Sequence, residues 1–189
     1  MNVTLERLRR DYLALLGESP GLSPVLEAGE ESGVLELEEL LGVRLPPLAV
    51  EATLETPLLW LDEVESVSPR VTWQNDVGRI PLPDDYLRLY SLLMSGWSQP
   101  VDHPESRATL RGSLGMRCPT WMACQENPLV MEGRDESGKF LTVKGVAGRP
   151  ESPLQLLYVP LPHFTEKKLW ISAAAYPRLL EKLVKEAPY

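Results

Sequence analysis

Eighteen prolines punctuate a chain of 189 residues, and they limit its fold more than any other feature. Proline lacks an amide hydrogen and fixes one backbone angle, so it is excluded from the middle of helices and central strands. A chain broken this often forms many short elements rather than a few long ones. One stretch concentrates the effect. In "IPLPDDYLRLYSLLMSGWSQPV", residues 80–101, two prolines flank one leucine, two aspartates follow, and an apolar run closes at Gly96 and Trp97.

Between such breaks the chain shows two textures. Residues 4–16 read as an amphipathic helix, with Leu5, Leu8, Tyr12, Leu15 and Leu16 on one stripe and Gly17 just past its end. Residues 18–33, rich in Gly, Pro, Ser and Glu, read as an acidic loop. "VLELEELLG" repeats a helical pattern up to Gly42. "LPPLAVEATLET" follows as a helix with Pro46 or Pro47 in its first turn and Leu48, Ala52 and Glu55 on one side. "PLLWLDEVESV" reads as a fourth short helix. The carboxylates along these segments read as a solvated outer face.

From Ser68 the texture becomes extended. "RVTWQ", "NDVG" and "RIPL" read as strand, turn and strand. "TWMACQ" and "LVMEGRD" are further strand candidates, and "GRDESGKFLTVKGV" a hairpin turning at Ser137 and Gly138. "SPLQLLYVPLP" is one more strand. The last 25 residues return to a helical pattern. Thr165 stands as its cap with Glu166 behind it, Leu169, Ala173, Tyr176, Leu180 and Leu183 line one face, and Pro177 kinks or splits it. Segregated runs of helix and strand predict an α+β fold. The expectation is a single domain over 1–189. Its N-terminal helices and long C-terminal helix, about 1–67 and 164–189, pack with a small antiparallel β-rich region at about 68–163.

Charge and cysteine usage narrow the function. A net charge of −8 disfavours a dedicated nucleic-acid binder and an anionic membrane surface, because both need clustered Lys and Arg. It does not forbid a protein that DNA merely passes, because an acidic wall repels phosphate and prevents sticking. Two cysteines make no disulfide framework, no apolar run reaches the length of a membrane span, and the N-terminal segment lacks a signal-peptide core. A reducing, cytoplasmic setting is expected.

No constellation for chemistry emerges. Zinc sites bring ligands in close pairs, whereas Cys118 and Cys124 are six residues apart and His103 and His163 sixty. There is no G-x-S-x-G elbow and no G-x4-GK phosphate loop. Adjacent aspartates in extended chain point to opposite faces, so Asp84 and Asp85 do not converge on one substrate. At a helix start Asp84 would cap and Asp85 would favour the positive end. The tryptophans do not interleave with basic residues, which disfavours a nucleic-acid stacking platform. Each reads as a core or interface anchor, with Trp60, Trp121 and Trp170, and Tyr158, as the interface candidates. No catalytic residue, metal or cofactor is assigned, and the chain is expected not to be an enzyme.

The block "G-R-I-P-L-P-D-D-Y-L-R-L", with Trp and Pro following, resembles a segment of tailed-bacteriophage adaptor proteins. These are head–tail connector or head-completion proteins, and related sequences occur as prophage-derived bacterial homologues. The matching positions are Gly78, Ile80, Leu82, Pro83, Asp85, Tyr86, Leu87, Arg88, Leu89, Trp97 and Pro100, with Asp84 inside the block. "PLQLLYVP" and the helical pattern after it are similar to the last strand and helix of that family. The resemblance implies a helical bundle with a β-rich insertion. It implies a subunit that joins a ring beneath a portal, meets portal or neighbouring connector proteins, and lines part of the DNA exit channel. Such a subunit forms a homo-oligomeric ring on assembly and is a monomer in isolation. The acidic loop at 18–33 and Pro177 depart from the family pattern. Residues 85–95 fit a helical stripe of Tyr86, Leu89, Tyr90 and Leu93 as well as strand alternation, and the family implies a short turn at 84–88 and then a strand. The alternative function is a bacterial protein–protein interaction module with no virion role.

Overall fold

A computed structural model of the chain describes residues 1–17, 43–106, 108–114, 123–165 and 167–186. In chain order its elements begin with β1 (Asn2–Thr4), α1 (Leu5–Leu15), α2 (Leu45–Glu55) and a 3-10 turn (Leu58–Trp60). Then come β2 (Glu65–Ser66), β3 (Thr72–Gln74), β4 (Val77–Pro81), β5 (Tyr86–Leu93) and α3 (Leu110–Leu114). The series ends with β6 (Leu129–Asp135), β7 (Gly138–Lys144), β8 (Gln155–Pro160), β9 (His163–Thr165), β10 (Lys168–Trp170) and α4 (Tyr176–Lys185). Two compact units result: Met1–Glu63 with Leu161–Tyr189, and Val64–Pro160 inserted between them. The expected helix over 34–42 and the loop 18–33 lie outside the described residues. Among the described residues no helix is long and apolar enough to cross a membrane.

The expected balance of helix and sheet is overturned. Among the described residues the fold is predominantly β, with three antiparallel sheets and four short α-helices. The C-terminal helix is ten residues, not a long one. β9 and β10 instead pair antiparallel, with Thr165 opposite Lys168 rather than capping a helix. Pro177 sits in the first turn of α4, where its missing amide costs no hydrogen bond, so it starts the helix rather than kinking it. Leu169 is buried from a strand and Ala173 is exposed, whereas Tyr176, Leu179, Leu180 and Leu183 form the buried face of α4.

In the first unit the sheet order is β1-β10-β9, and Val3 faces Leu169 across it, both fully buried. The Thr4 hydroxyl accepts from the Arg7 amide at 3.2 Å and caps α1. Of the expected α1 stripe only Leu8 and Tyr12 are buried. α4 packs against both α1 and α2. Tyr176 donates to Asp11 at 2.9 Å, and Lys182 joins Glu51 and Glu55 of α2, each at 2.9 Å. α2 carries its prolines at the start, but buries Leu45, Ala49, Ala52 and Thr53, leaving Glu55 exposed. The expected fourth helix shrinks to the 3-10 turn before extended chain and β2.

The second unit holds two sheets, β2-β8-β5 and β3-β4-β7-β6, around one core. Ile80, Leu141 and Val143 enter it from one sheet, and Leu89, Leu92 and Leu156 from the other. β3 and β4 join through Asn75–Asp76, with Asn75 at φ 56, as a two-residue hairpin requires. Gly78 faces Trp73 across this hairpin. A Cβ on Gly78 would stand 2.9 Å from the Trp73 ring and 2.7 Å from Val143. Gly133 faces Phe140 in the same way, with a Cβ-to-ring distance of 2.5 Å. Each glycine makes room for an aromatic ring lying across its strand.

Gly78→Ala should therefore destabilise the second unit by about 1–3 kcal/mol through overpacking. Urea unfolding followed by tryptophan fluorescence measures this, and an unchanged midpoint would count against the packing account. The strands that enter and leave the unit are paired, Glu65 opposite Tyr158, so its ends are already tied. Residues 64–160 expressed alone should unfold cooperatively and give a dispersed amide spectrum.

Candidate functional site

The motif block runs through β4, a turn and β5. Gly78 and Ile80 lie on β4, Leu82 and Pro83 in the connection, Asp84 and Asp85 in the turn, and Tyr86, Leu87, Arg88 and Leu89 on β5. The Tyr86 amide donates to Pro83 O at 3.1 Å and closes the turn. The Leu82 amide donates to Lys139 O at 3.0 Å and ties the connection to β7. No helix begins at 84, so the capping role has no counterpart here. Strand β5 begins at Tyr86, so the turn is shorter than the implied 84–88. Ile80, Tyr86, Leu89 and Trp97 are buried, while Pro100 and Asp84 are exposed.

Two tyrosines form the centre. The Tyr86 and Tyr158 rings stack with centroids 5.9 Å apart and planes at 27°. The Tyr86 hydroxyl donates to Glu132 of β6. Lys139 donates to the Tyr86 carbonyl at 2.5 Å and lies over its ring. The Tyr158 hydroxyl stands 2.8 Å from Glu65 and 3.1 Å from Asp85, and donates its one proton to these two carboxylates. Asp85 thus bonds a tyrosine inside the unit, and Asp84 turns outward. Burial, reinforced by the hydrogen bond and charge of Glu132, pushes the Tyr86 hydroxyl far above the ordinary value of 10. Burial, then the bonds to Glu65 and Asp85, pushes Tyr158 up as well.

The remaining candidates are scattered. Trp60 is 64% exposed in the first unit, and its neighbour Leu59 is 86% exposed. Trp170 is half-buried and packs on His163, with ring centroids 5.3 Å apart. Tyr158 is 3% exposed, so its ring belongs to the core. Trp121 and Cys118 lie outside the described residues. His103 is exposed and pairs with Asp102 at 2.8 Å. Among the described residues no three His, Cys, Asp or Glu side chains gather as for a metal ion.

Sequence reasoning missed Glu65, Glu132 and Lys139, which complete the tyrosine pair from three other strands. No local signal marks them, because their partners lie 46 to 93 positions away. It also missed a cleft of about 430 Å³ in the second unit, lined by Trp73, Asp76, residues 123–126, Lys144–Val146, Gly148 and Arg149. Comparison with family models, curated proteins and solved structures returns no match for this chain.

The tyrosines set an alkaline limit. A hydroxyl whose pKa is raised on folding keeps its proton longer in the folded chain than in the unfolded one. Its stabilisation is complete below the unfolded value of 10 and declines as pH rises above it. Urea midpoints measured between neutral pH and pH 11 should fall beyond about 10, and fall less steeply in Tyr86→Phe. Equal slopes in the two proteins would refute the assignment.

Proposed function

We propose that the chain is a non-enzymatic assembly protein, a phage-type head–tail connector or adaptor subunit that docks on a portal ring and lines part of the DNA exit channel. The observation that carries this reading is the use to which the motif block is put. Its apolar members Ile80, Tyr86, Leu89 and Trp97 are consumed in the core, and Asp85 bonds Tyr158. The block's side chains are spent on packing and on hydrogen bonds inside the unit. Leu59 and Trp60, adjacent and exposed, supply the kind of large apolar anchor that assembly surfaces use. The net charge of −8 agrees with a channel wall that repels phosphate.

Electron microscopy of the protein mixed with a candidate cognate portal tests the reading. An added ring beneath the portal is the expected result. No added density, together with no terminase, portal or capsid genes nearby, would overturn it in favour of a bacterial interaction module. Replacing both Leu59 and Trp60 with Ser should leave the circular dichroism spectrum and thermal midpoint of the isolated protein nearly unchanged. The same variant should lose portal binding in a co-sedimentation assay.

A further inference from the structure

The cleft of the second unit plays no part in the assembly reading. Its volume of about 430 Å³ lies within the range of small-ligand sites. Its walls are fixed before any ligand arrives. The Trp73 indole N–H donates to Pro150 O at 2.9 Å, and the Trp97 indole N–H donates to Gly145 O at 2.8 Å. The stretch 145–150 is therefore pinned at both ends. Gly145 seats the 123–126 wall so closely that a Cβ there would stand 2.5 Å from Cys124 O.

Charge is distributed unevenly over this lining. Lys144 is only 9% exposed, the one buried charged side chain in it. Lys144 already has an interaction of its own in the fold, so a ligand would add to its partners. Arg149 stands 3.8 Å from Asp76, with side chains 61% and 81% exposed. A solvated pair of that length contributes little and exchanges partners at low cost. Glu126 is exposed, and its own backbone amide, then the Cys124 thiol, hold it below the usual carboxylate range. Water screens the rim carboxylates Asp76 and Glu126 more than it screens Lys144. The anionic end of a ligand is thus drawn to Lys144 and Arg149. Two rim carboxylates oppose a second negative charge, which favours a monoanion over a phosphate ester. The Trp73 N–H is committed to Pro150 and part of its ring to Gly78, which leaves the remaining, partly exposed indole surface apolar for a ring.

We propose that this cleft binds a small aromatic monocarboxylate, with its carboxylate against Lys144 and Arg149 and its ring against Trp73. The proposal stands independently of the assembly reading. Benzoate titrated into the full-length protein tests it, with the indole N–H signals followed by NMR and Trp73 assigned from Trp73→Phe. The Trp73 signal should move saturably with benzoate. It should move much less with phenyl phosphate, and not with benzyl alcohol or benzylamine. Arg149→Gln and Lys144→Gln should each weaken benzoate by about tenfold. Asp76→Asn frees Arg149 and removes a repulsion, so it should tighten binding by about threefold. Arg149 and Asp76 are surface residues, so these two variants keep the test valid even where Lys144→Gln fails to fold. No saturable shift with benzoate, an equal shift with benzyl alcohol, or an affinity unchanged by both surface variants would overturn the proposal.

Discussion

The ladder between β5 and β8 is the constraint on which the second unit depends. β8 lies between β2 and β5, so it closes the entry of the unit on one side and receives the motif strand on the other. Leu89, Leu92, Leu156 and Tyr158 meet across or beside this ladder and are all buried. The stacked tyrosines add geometry to burial. Each ring contributes a large apolar area, and each hydroxyl needs an acceptor that a different strand provides. Glu132, Glu65 and Asp85 supply those acceptors, so β2, β6 and the 84–85 turn are fixed relative to the ladder by the same pair.

The second sheet is built on a different device. Trp73 over Gly78 and Phe140 over Gly133 replace ordinary side-chain pairs with a ring laid over bare backbone. Arg79 then lies over the Phe140 ring at 3.7 Å, and its guanidinium meets Asp135 at 2.5 Å and Ser137 at 3.0 Å. The guanidinium covers the outer face of a ring that is itself nearly buried. Gly78, a position of the motif block, is thus explained by its cross-strand neighbour Trp73.

The region that read equally as helix and strand shows why local pattern fell short. Tyr86, Leu89 and Leu92 are the buried residues of β5, three apart, where a regular strand would bury every second one. Two register shifts against β8, between Tyr86 and Arg88 and between Leu89 and Ser91, each insert a residue. The bulged strand therefore writes a nearly helical stripe into the sequence. A related cause lies behind the overestimate of helix at the C-terminus. Leu169 and Tyr176 fit one helical face by spacing, yet β10 buries Leu169 against Val3 of β1, which no local window contains.

Hairpins with their own turn chemistry were legible in the sequence. Gln74–Asn75–Asp76–Val77 and the turn before Gly138 are encoded within a few residues, and so are the starts of α1 and α2 at Thr4 and at Pro46 and Pro47. That Asp84 and Asp85 part company agrees with their adjacency: Asp85 bonds Tyr158 and Asp84 is exposed. Tertiary structure alone decided which carboxylate meets which tyrosine, that Tyr158 is buried while Trp60 is not, and that a cleft forms around Lys144. The physical reason is range. Turn and cap preferences arise from neighbouring backbone, whereas burial and charge pairing depend on segments far apart in the chain that meet only once the sheets have closed.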